Sequence, residues 1–273
     1  MTLTPELLSS ARTFLFVPGD RPDRFGKAAD SGADVVIVDL EDAVAPGNKD
    51  KARRDAAAWF AAGAHAVLRI NGRGTPWHDE DLRLLTTYGC PVMEPKAEGP
   101  GLAERLGGGV PLLPLIETAW GVERALEVCR APGVVRAAFG SVDLATELGV
   151  RHEDTLALAH ARSRLVLACA AAGIAAPIDG VTTALDDPEA LERDIRHGKR
   201  LGYSGKLCVH PRQLPAVAAG FAPTREERDW ARAVLTAGES ATAVDGMMVD
   251  RPVRERARRL LGASGGVRPV PPA

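Results

Sequence analysis

Eight times along the chain a short apolar run gives way to a loop and then to an amphipathic stretch, and no other property narrows the fold as much. Strands and helices in strict alternation are the pattern of βα units, in which each crossover helix returns the chain to lay the next strand parallel to the last. The runs that read as strands are Thr13 to Val17, Val35 to Asp39, Ala66 to Ile70, Pro91 to Glu94, Leu112 to Ile116, Val135 to Phe139, Ala175 to Ile178, and Lys206 to Val209. The clearest helical stretches are Pro22 to Ser31, Asp50 to Ala62, Trp120 to Arg130, Asp154 to Ala172, and Pro188 to Leu201, several with Asp or Pro in the first turn. Gly32, Gly63, Gly133, Gly173 and Gly202 fall near helix ends, where glycine tolerates the left-handed backbone of a C-cap.

Eight such units in 273 residues predict an α/β fold, a (β/α)8 TIM barrel with extra C-terminal helices, as one domain over 1–273. Only 4% of residues are aromatic, so the core must come from Ala, Val, Leu and Ile, as in covered parallel strands. Beyond the eighth strand the sequence predicts a helix from Thr224 to about Ala241, a linker carrying Gly246, and a basic helix from Pro252 to Leu261. Residues 224–261 thus form an appended helical segment, and 262–273, rich in Gly and Pro, are expected to be a disordered tail.

A net charge of −2 offers no field for nucleic acid or an anionic membrane, so neither is expected as a partner. No stretch approaches the roughly 18 apolar residues that span a bilayer, and the N-terminus has no basic segment followed by an apolar run. Cys90, Cys129, Cys169 and Cys208 lack the short pair spacings of a zinc site and read as buried thiols, which suggests a reduced, cytoplasmic setting.

In a barrel of this kind the chemistry sits where the strands end, so the polar residues there are the candidates. They are Asp20 and Arg21 after strand one; Asp39, Glu41 and Asp42 after strand two; Arg69 and Asn71; Glu94 and Lys96; Glu117; Gly140, Ser141 and Asp143; and His210. Glu117 follows the apolar run PLLPLI, where a charge costs several kcal/mol unless it is paired or metal-bound. Pairing with Arg69 and metal ligation both answer that. Asp143, in FGSVDL, could cap the next helix, but two carboxylates from adjacent strands without His or Cys also offer hard oxygen ligands suited to Mg2+. The acidic Asp39, Glu41 and Asp42 read first as ion-pair partners for Arg69, Lys96 or the next helix. Arg69, facing carboxylates, could hold a substrate carboxylate or an enolate in a fixed fork. Arg21, Arg24, Lys27, Lys49 and Arg53, on the first two βα units, are either a solvated face or a receptor for phosphates.

At these same residues the chain resembles the HpcH/HpaI aldolase and citrate lyase β-subunit superfamily, in its CitE-like branch. The matching segments are FLFVPGDRPDRFGKA, DVVIVDLEDAVAP, VLRINGRGT, MEPKAEGP, PLIETAWGV, AAFGSVDLATELG, KLCVHPRQL and GMMVDRPV, spread over almost the whole chain. The resemblance implies Glu117 and Asp143 as ligands of Mg2+, or of Mn2+ in its place, with Arg69, Glu117, Gly140 and Ser141 contacting substrate. It implies that Arg21, Lys49 and Arg53 help bind coenzyme A, and that Asp250 acts as acid or base, although Asp250 could equally N-cap the helix at Pro252. A homotrimer or hexamer is implied as well.

The activity so implied is a Mg2+-dependent carbon–carbon lyase cleaving or forming a 3-hydroxyacyl-CoA thioester, to an acyl-CoA and a small 2-oxo acid. A citrate lyase β subunit acting within a complex, a CoA-independent 2-oxo acid aldolase, and a non-catalytic CoA-thioester-binding barrel are the alternatives. A silent barrel would be expected to have lost Arg69, Glu117 or Asp143, and all three are present.

Overall fold

A computed structural model gives the tertiary structure, describing residues 3–237, 242–244 and 247–262. The eight runs become β1 (Thr13–Pro18), β2 (Val35–Asp39), β3 (Val67–Arg69), β4 (Val92–Glu94), β5 (Leu112–Ile116), β6 (Ala138–Phe139), β7 (Ile178–Asp179) and β8 (Gly205–Cys208). Each pairs in parallel with the next, and β8 pairs with β1 through Lys206–Thr13, Leu207–Phe14 and Cys208–Leu15, closing the barrel. The predicted (β/α)8 barrel is the fold.

Strand alternation divides the core in two. Phe14, Ile37, Val67, Met93, Leu113, Leu115, Ala138, Ile178 and Leu207 pack together inside the barrel. Leu15, Val36, Val38, Leu68, Val92, Ile116, Phe139 and Cys208 face outward beneath the helices. All five residues of β2 are buried, as a strand covered on both faces requires. The four cysteines are buried free thiols.

Arg136 closes the end at which the strands begin. Its fully buried guanidinium donates to Ala176 O at 2.6 Å, Ala11 O at 2.6 Å, Leu8 O at 3.2 Å and Ser204 Oγ at 2.8 Å, and lies 5.4 Å from the Phe14 ring. This side chain also explains why β6 and β7 are shorter than expected. It consumes the Ala176 carbonyl, so regular pairing between these strands begins only at Ala138 and Ile178.

The helix Pro188–Leu201 follows its sequence signals: Asp187 accepts from Ala190 N at 2.9 Å, Pro188 opens the first turn, and Gly202 ends it at φ 106°. The helix expected from Asp154 instead begins at Ala159. Asp154 Oδ1 accepts from both Leu156 N and Ala157 N at 3.0 Å, a local turn that competes with the helix. Among the described residues no helix is long and apolar enough to cross a membrane.

The chain divides after Phe221 into two compact units. In the second, Arg225–Thr236 is a helix whose Thr224 and Glu227 form a capping box. An antiparallel pair, Thr242–Val244 with Met247–Val249, stands where a plain linker was expected, and the helix Arg251–Leu260 follows. Ala231, Val234, Val249 and Ala257 form this unit's own small core. The stretch 238–241, Gly246, and the expected tail from 263 onward lie outside the described residues.

Candidate active site

Every strand of the barrel unit delivers its last residues to one rim, and the charged groups there are tied into a network. Asp39 and Arg69 are register partners on β2 and β3. Arg69 donates from Nε to Asp39 Oδ1 at 2.7 Å and from Nη2 to Oδ2 at 2.5 Å, a two-point fork, while Nη1 stands 3.1 Å from Glu41. Its guanidinium also stacks 4.7 Å from the Phe16 ring. Burial acts to lower the Arg69 pKa, but Asp39 and then Glu41 and Glu117 overcome it, and the group is held firmly charged. Burial likewise acts to raise the Asp39 pKa, yet the Arg69 charge and fork, with Glu41 N and Ala43 N, pull it below the usual carboxylate range.

Arg69 is therefore not paired with Glu117, which was the alternative to metal ligation read from the sequence. The side chain of Glu117 accepts from Lys96 N at 2.9 Å and stands 4.0 Å from the Lys96 ammonium. Burial, then the charges of Glu41 and Asp143, push its pKa up to about 8. Two glycine-like concessions seat it. A Cβ on Gly140 would lie 2.3 Å from Glu117 Cβ and 2.6 Å from Oε2, so only a bare backbone fits there. Lys96 is the one non-glycine among the described residues with positive φ, 48°, a strained turn that brings its amide onto Glu117.

The Lys96 ammonium is the hub. It lies 2.8 Å from Glu41, 4.0 Å from Glu117 and 3.8 Å from Asp143. Burial acts to lower its pKa, but the hydrogen bond and charge of Glu41 with the charges of Glu117 and Asp42 outweigh it together, so the group is raised and stays protonated. Burial raises the Glu41 pKa despite Arg69 and Lys96. Asp143 lies in the first turn of the helix Ser141–Leu148, but Gly140 is the N-cap and no side chain caps it, so Asp143 is not a helix cap. Ser141 is buried with an unbonded hydroxyl.

Beside this network opens a cleft of about 1040 Å3 whose wall includes Glu41, Lys96, Thr118, Arg73, Trp77 and Trp120. Lys49 and Arg53 hold that wall from within. The Lys49 ammonium donates at 2.7 Å to Leu40 O, Glu41 O and Asn71 Oδ1, and burial lowers its pKa. Arg53 bonds Asp81 at 2.8 Å and Asp50 at 2.9 Å, while Asp81 in turn fixes Asn71. Arg21 is exposed and engaged with Asp23 at 3.0 Å. Asp250 belongs to the second unit, where its Oδ1 accepts from Val253 N at 3.1 Å as the N-cap of Arg251–Leu260.

The ion pairing read from the sequence for the acidic residues after strand two, with Arg69 and Lys96 as partners, is what Glu41 makes. What the sequence reading leaves out is that Glu41 and Lys96 together bridge Arg69 to Glu117 and Asp143. The signal available was their placement: LEDA directly follows β2, and PKA directly follows Glu94, the last residue of β4.

Residues 12–211 match the sequence model of a family described as HpcH/HpaI aldolase/citrate lyase. A citrate lyase subunit beta-like protein of Deinococcus radiodurans is 40% identical, covering 96% of this chain and 99% of its own. A (3S)-malyl-CoA thioesterase of Cereibacter sphaeroides is 32% identical over 88% and 89%. Among solved structures, the protein CitE from Mycobacterium tuberculosis, in complex with magnesium, acetoacetate and coenzyme A, superposes with a TM-score of 0.81 at 35% identity, covering 94% of this chain and 100% of that one.

Proposed function

This chain belongs to the HpcH/HpaI aldolase/citrate lyase family of lyases, and on that premise we propose that it cleaves or forms the carbon–carbon bond of a 3-hydroxyacyl-CoA thioester. The products of cleavage are an acyl-CoA and a small 2-oxo acid. One observation carries the reading: Glu41, Glu117 and Asp143 converge on a single ammonium head at the mouth of the barrel.

That convergence also fits a divalent cation. Lys96 marks a place where positive charge is held among carboxylates, and Glu117, pushed up to about 8 by burial, Glu41 and Asp143 even with that ammonium 4.0 Å away, would be held ionised more firmly by a divalent cation. The donors are hard oxygens. Among the described residues no three His, Cys, Asp or Glu are arranged to hold a metal ion, so two carboxylates would leave the remaining positions to water and substrate, as Mg2+ allows. Glu117 and Asp143 would be the ligands, and Mn2+ would serve in its place. When bound, the ion supplies a Lewis acid for the oxo-acid oxygens.

The chain's own groups do the rest. Cleavage removes the proton of the 3-hydroxyl, breaks the bond between C2 and C3, and returns a proton to C2 of the thioester. Arg69, locked by Asp39, is a fixed cationic wall against which the thioester enolate develops charge without reorganisation. Gly140 and Ser141 border the substrate beside Glu117. Asp250 moves the proton, and the resemblance supports its doing so for a neighbouring copy in a homotrimer or hexamer. Arg21, whose head is exposed as are those of Arg24 and Lys27, would meet a coenzyme A phosphate, while Lys49 and Arg53 are engaged within the cleft wall.

The likeness to a malyl-CoA thioesterase favours a second reading, hydrolysis of the thioester after or instead of cleavage. One assay separates the two. The protein with Mg2+ is incubated with malyl-CoA, citramalyl-CoA and 3-hydroxy-3-methylglutaryl-CoA, and the products are resolved. Acyl-CoA with a 2-oxo acid supports the lyase; free coenzyme A with an intact hydroxy acid supports the hydrolase. Glu117→Gln should lose at least about a thousandfold in turnover, together with most Mg2+ binding by calorimetry. Full Mg2+-dependent turnover by that variant would overturn the site.

A further inference from the structure

Among the described residues the cleft carboxylates Asp42, Glu98 and Glu104 are exposed to water, and the rim carboxylates withdrawn from it are engaged, with one exception. Asp39 is held by Arg69, Glu41 by Lys96, Glu117 by the Lys96 amide, and Asp81 by Arg53 and Asn71. Glu94, the last residue of β4, has no hydrogen bond or ion pair among the described residues, yet it is half-buried and lines the cleft. Val92 packs in the outer cluster and Met93 in the inner one, so Glu94 leaves the strand on the outer face, away from the bore where Glu117 stands. Burial pushes its pKa up to about 7, with only Arg73 opposing.

Arg73 is the cleft cation without a partner among the described residues, for Lys49, Lys96 and Arg124 are all bonded. No side-chain hydrogen bond or ion pair engages it among the described residues, and it lines the same cleft. Its guanidinium lies over Gly101, where a Cβ would come within 3.1 Å of both Cζ and Nη1, so the bare backbone of Gly101 makes room for it. A cleft wall that offers one strong donor, exposed, and one strong acceptor, half-buried, neither of them bonded among the described residues, is complementary to a group carrying an acceptor and a donor side by side.

We propose that Glu94 and Arg73 form an amide-binding subsite on the outer flank of the cleft, holding the carrier arm of the acyl thioester by a –CO–NH– group. Arg73 donates to the amide oxygen and Glu94 accepts from the amide N–H. This rests on the thioester reading above and extends it, because the two residues stand apart from the carboxylates that would hold the metal. They select for the arm rather than for the reacting carbons.

Equilibrium binding tests it, with free coenzyme A as one probe and adenosine 3′,5′-bisphosphate, which has no arm, as the other. Glu94→Leu and Arg73→Met should each weaken coenzyme A by about tenfold, the worth of one good hydrogen bond to a charged group, and leave the bisphosphate unchanged. Glu94→Gln, which keeps a carbonyl acceptor, should lose less than Glu94→Leu. Unchanged coenzyme A binding in both Glu94→Leu and Arg73→Met, or equal losses for the two probes, would overturn the subsite while leaving the lyase reading intact. Arm-dependent binding that needs Glu94, in a protein that cleaves none of the thioesters, would sustain the subsite and sink the lyase reading. A wild type that binds no coenzyme A would overturn both. Melting curves on each variant establish that it is folded, and Arg73, being exposed, is the safer of the two to replace.

Discussion

At the scale of single residues, the site depends on atoms that are missing as much as on those present. Gly140 contributes the absence of a side chain, and with it the space in which Glu117 stands. Gly140→Ala should therefore push Glu117 off its position: turnover is expected to fall by more than about tenfold while the melting temperature drops only a few degrees, since a displacement near 1 Å is enough to cost that much in rate. Steady-state kinetics beside thermal melting is the check, and equal loss of activity and fold would refute the argument. Lys96 shows the converse. Its left-handed backbone costs on the order of 1 kcal/mol, and the structure bears that strain to set an amide on Glu117 and an ammonium among three carboxylates.

At the scale of the element, one helix start separates two roles for the same residue. Asp250 caps Arg251–Leu260 through Oδ1, and the proposal also asks it to move a proton. Asn caps as well as Asp but cannot carry the proton. Asp250→Asn should thus keep the stability of the wild type and lose activity, whereas Asp250→Ala should lose both, with about 1 kcal/mol from the lost cap. Urea denaturation and turnover measured on the pair decide it: full activity in Asp250→Asn would leave the residue a cap alone. Elements also show where local signals compete. The helix after Asp154 starts five residues late because that aspartate folds back on Leu156 N and Ala157 N, a choice invisible to periodicity, which sees only the apolar face.

For the molecule as a whole, closure of the barrel separates stability from chemistry. Arg136 fastens the end where the strands begin, and the candidate site occupies the end where they finish. Arg136→Leu would leave Leu8 O and Ala11 O buried without this donor, at about 1–3 kcal/mol each before relaxation, and Ala176 O with only the long bond from Ser204 Oγ at 3.4 Å. The expected outcome is a loss of at least about 3 kcal/mol in urea unfolding with turnover per folded molecule unchanged. A variant that is stable but inactive would show that the two ends are coupled.

The sequence by itself determined the barrel, because strand and helix periods are local properties and eight alternations leave little else for the chain to build. It also determined which residue types stand on the rim, since the C-terminal end of each strand is countable along the chain, and it singled out Glu117 from the cost of a charge after an apolar run. What it could not determine was partnership. Asp39 meets Arg69 because β2 and β3 are neighbours in register, and Glu41 meets Lys96 across 55 positions of sequence. Lys49 and Arg53 look like free cations in the sequence and prove to be internal struts, whereas Glu94 looks unremarkable and has no hydrogen bond or ion pair among the described residues. Pairing and burial are set by which loops come to lie side by side once the sheet closes, a long-range geometry that only the tertiary structure decides.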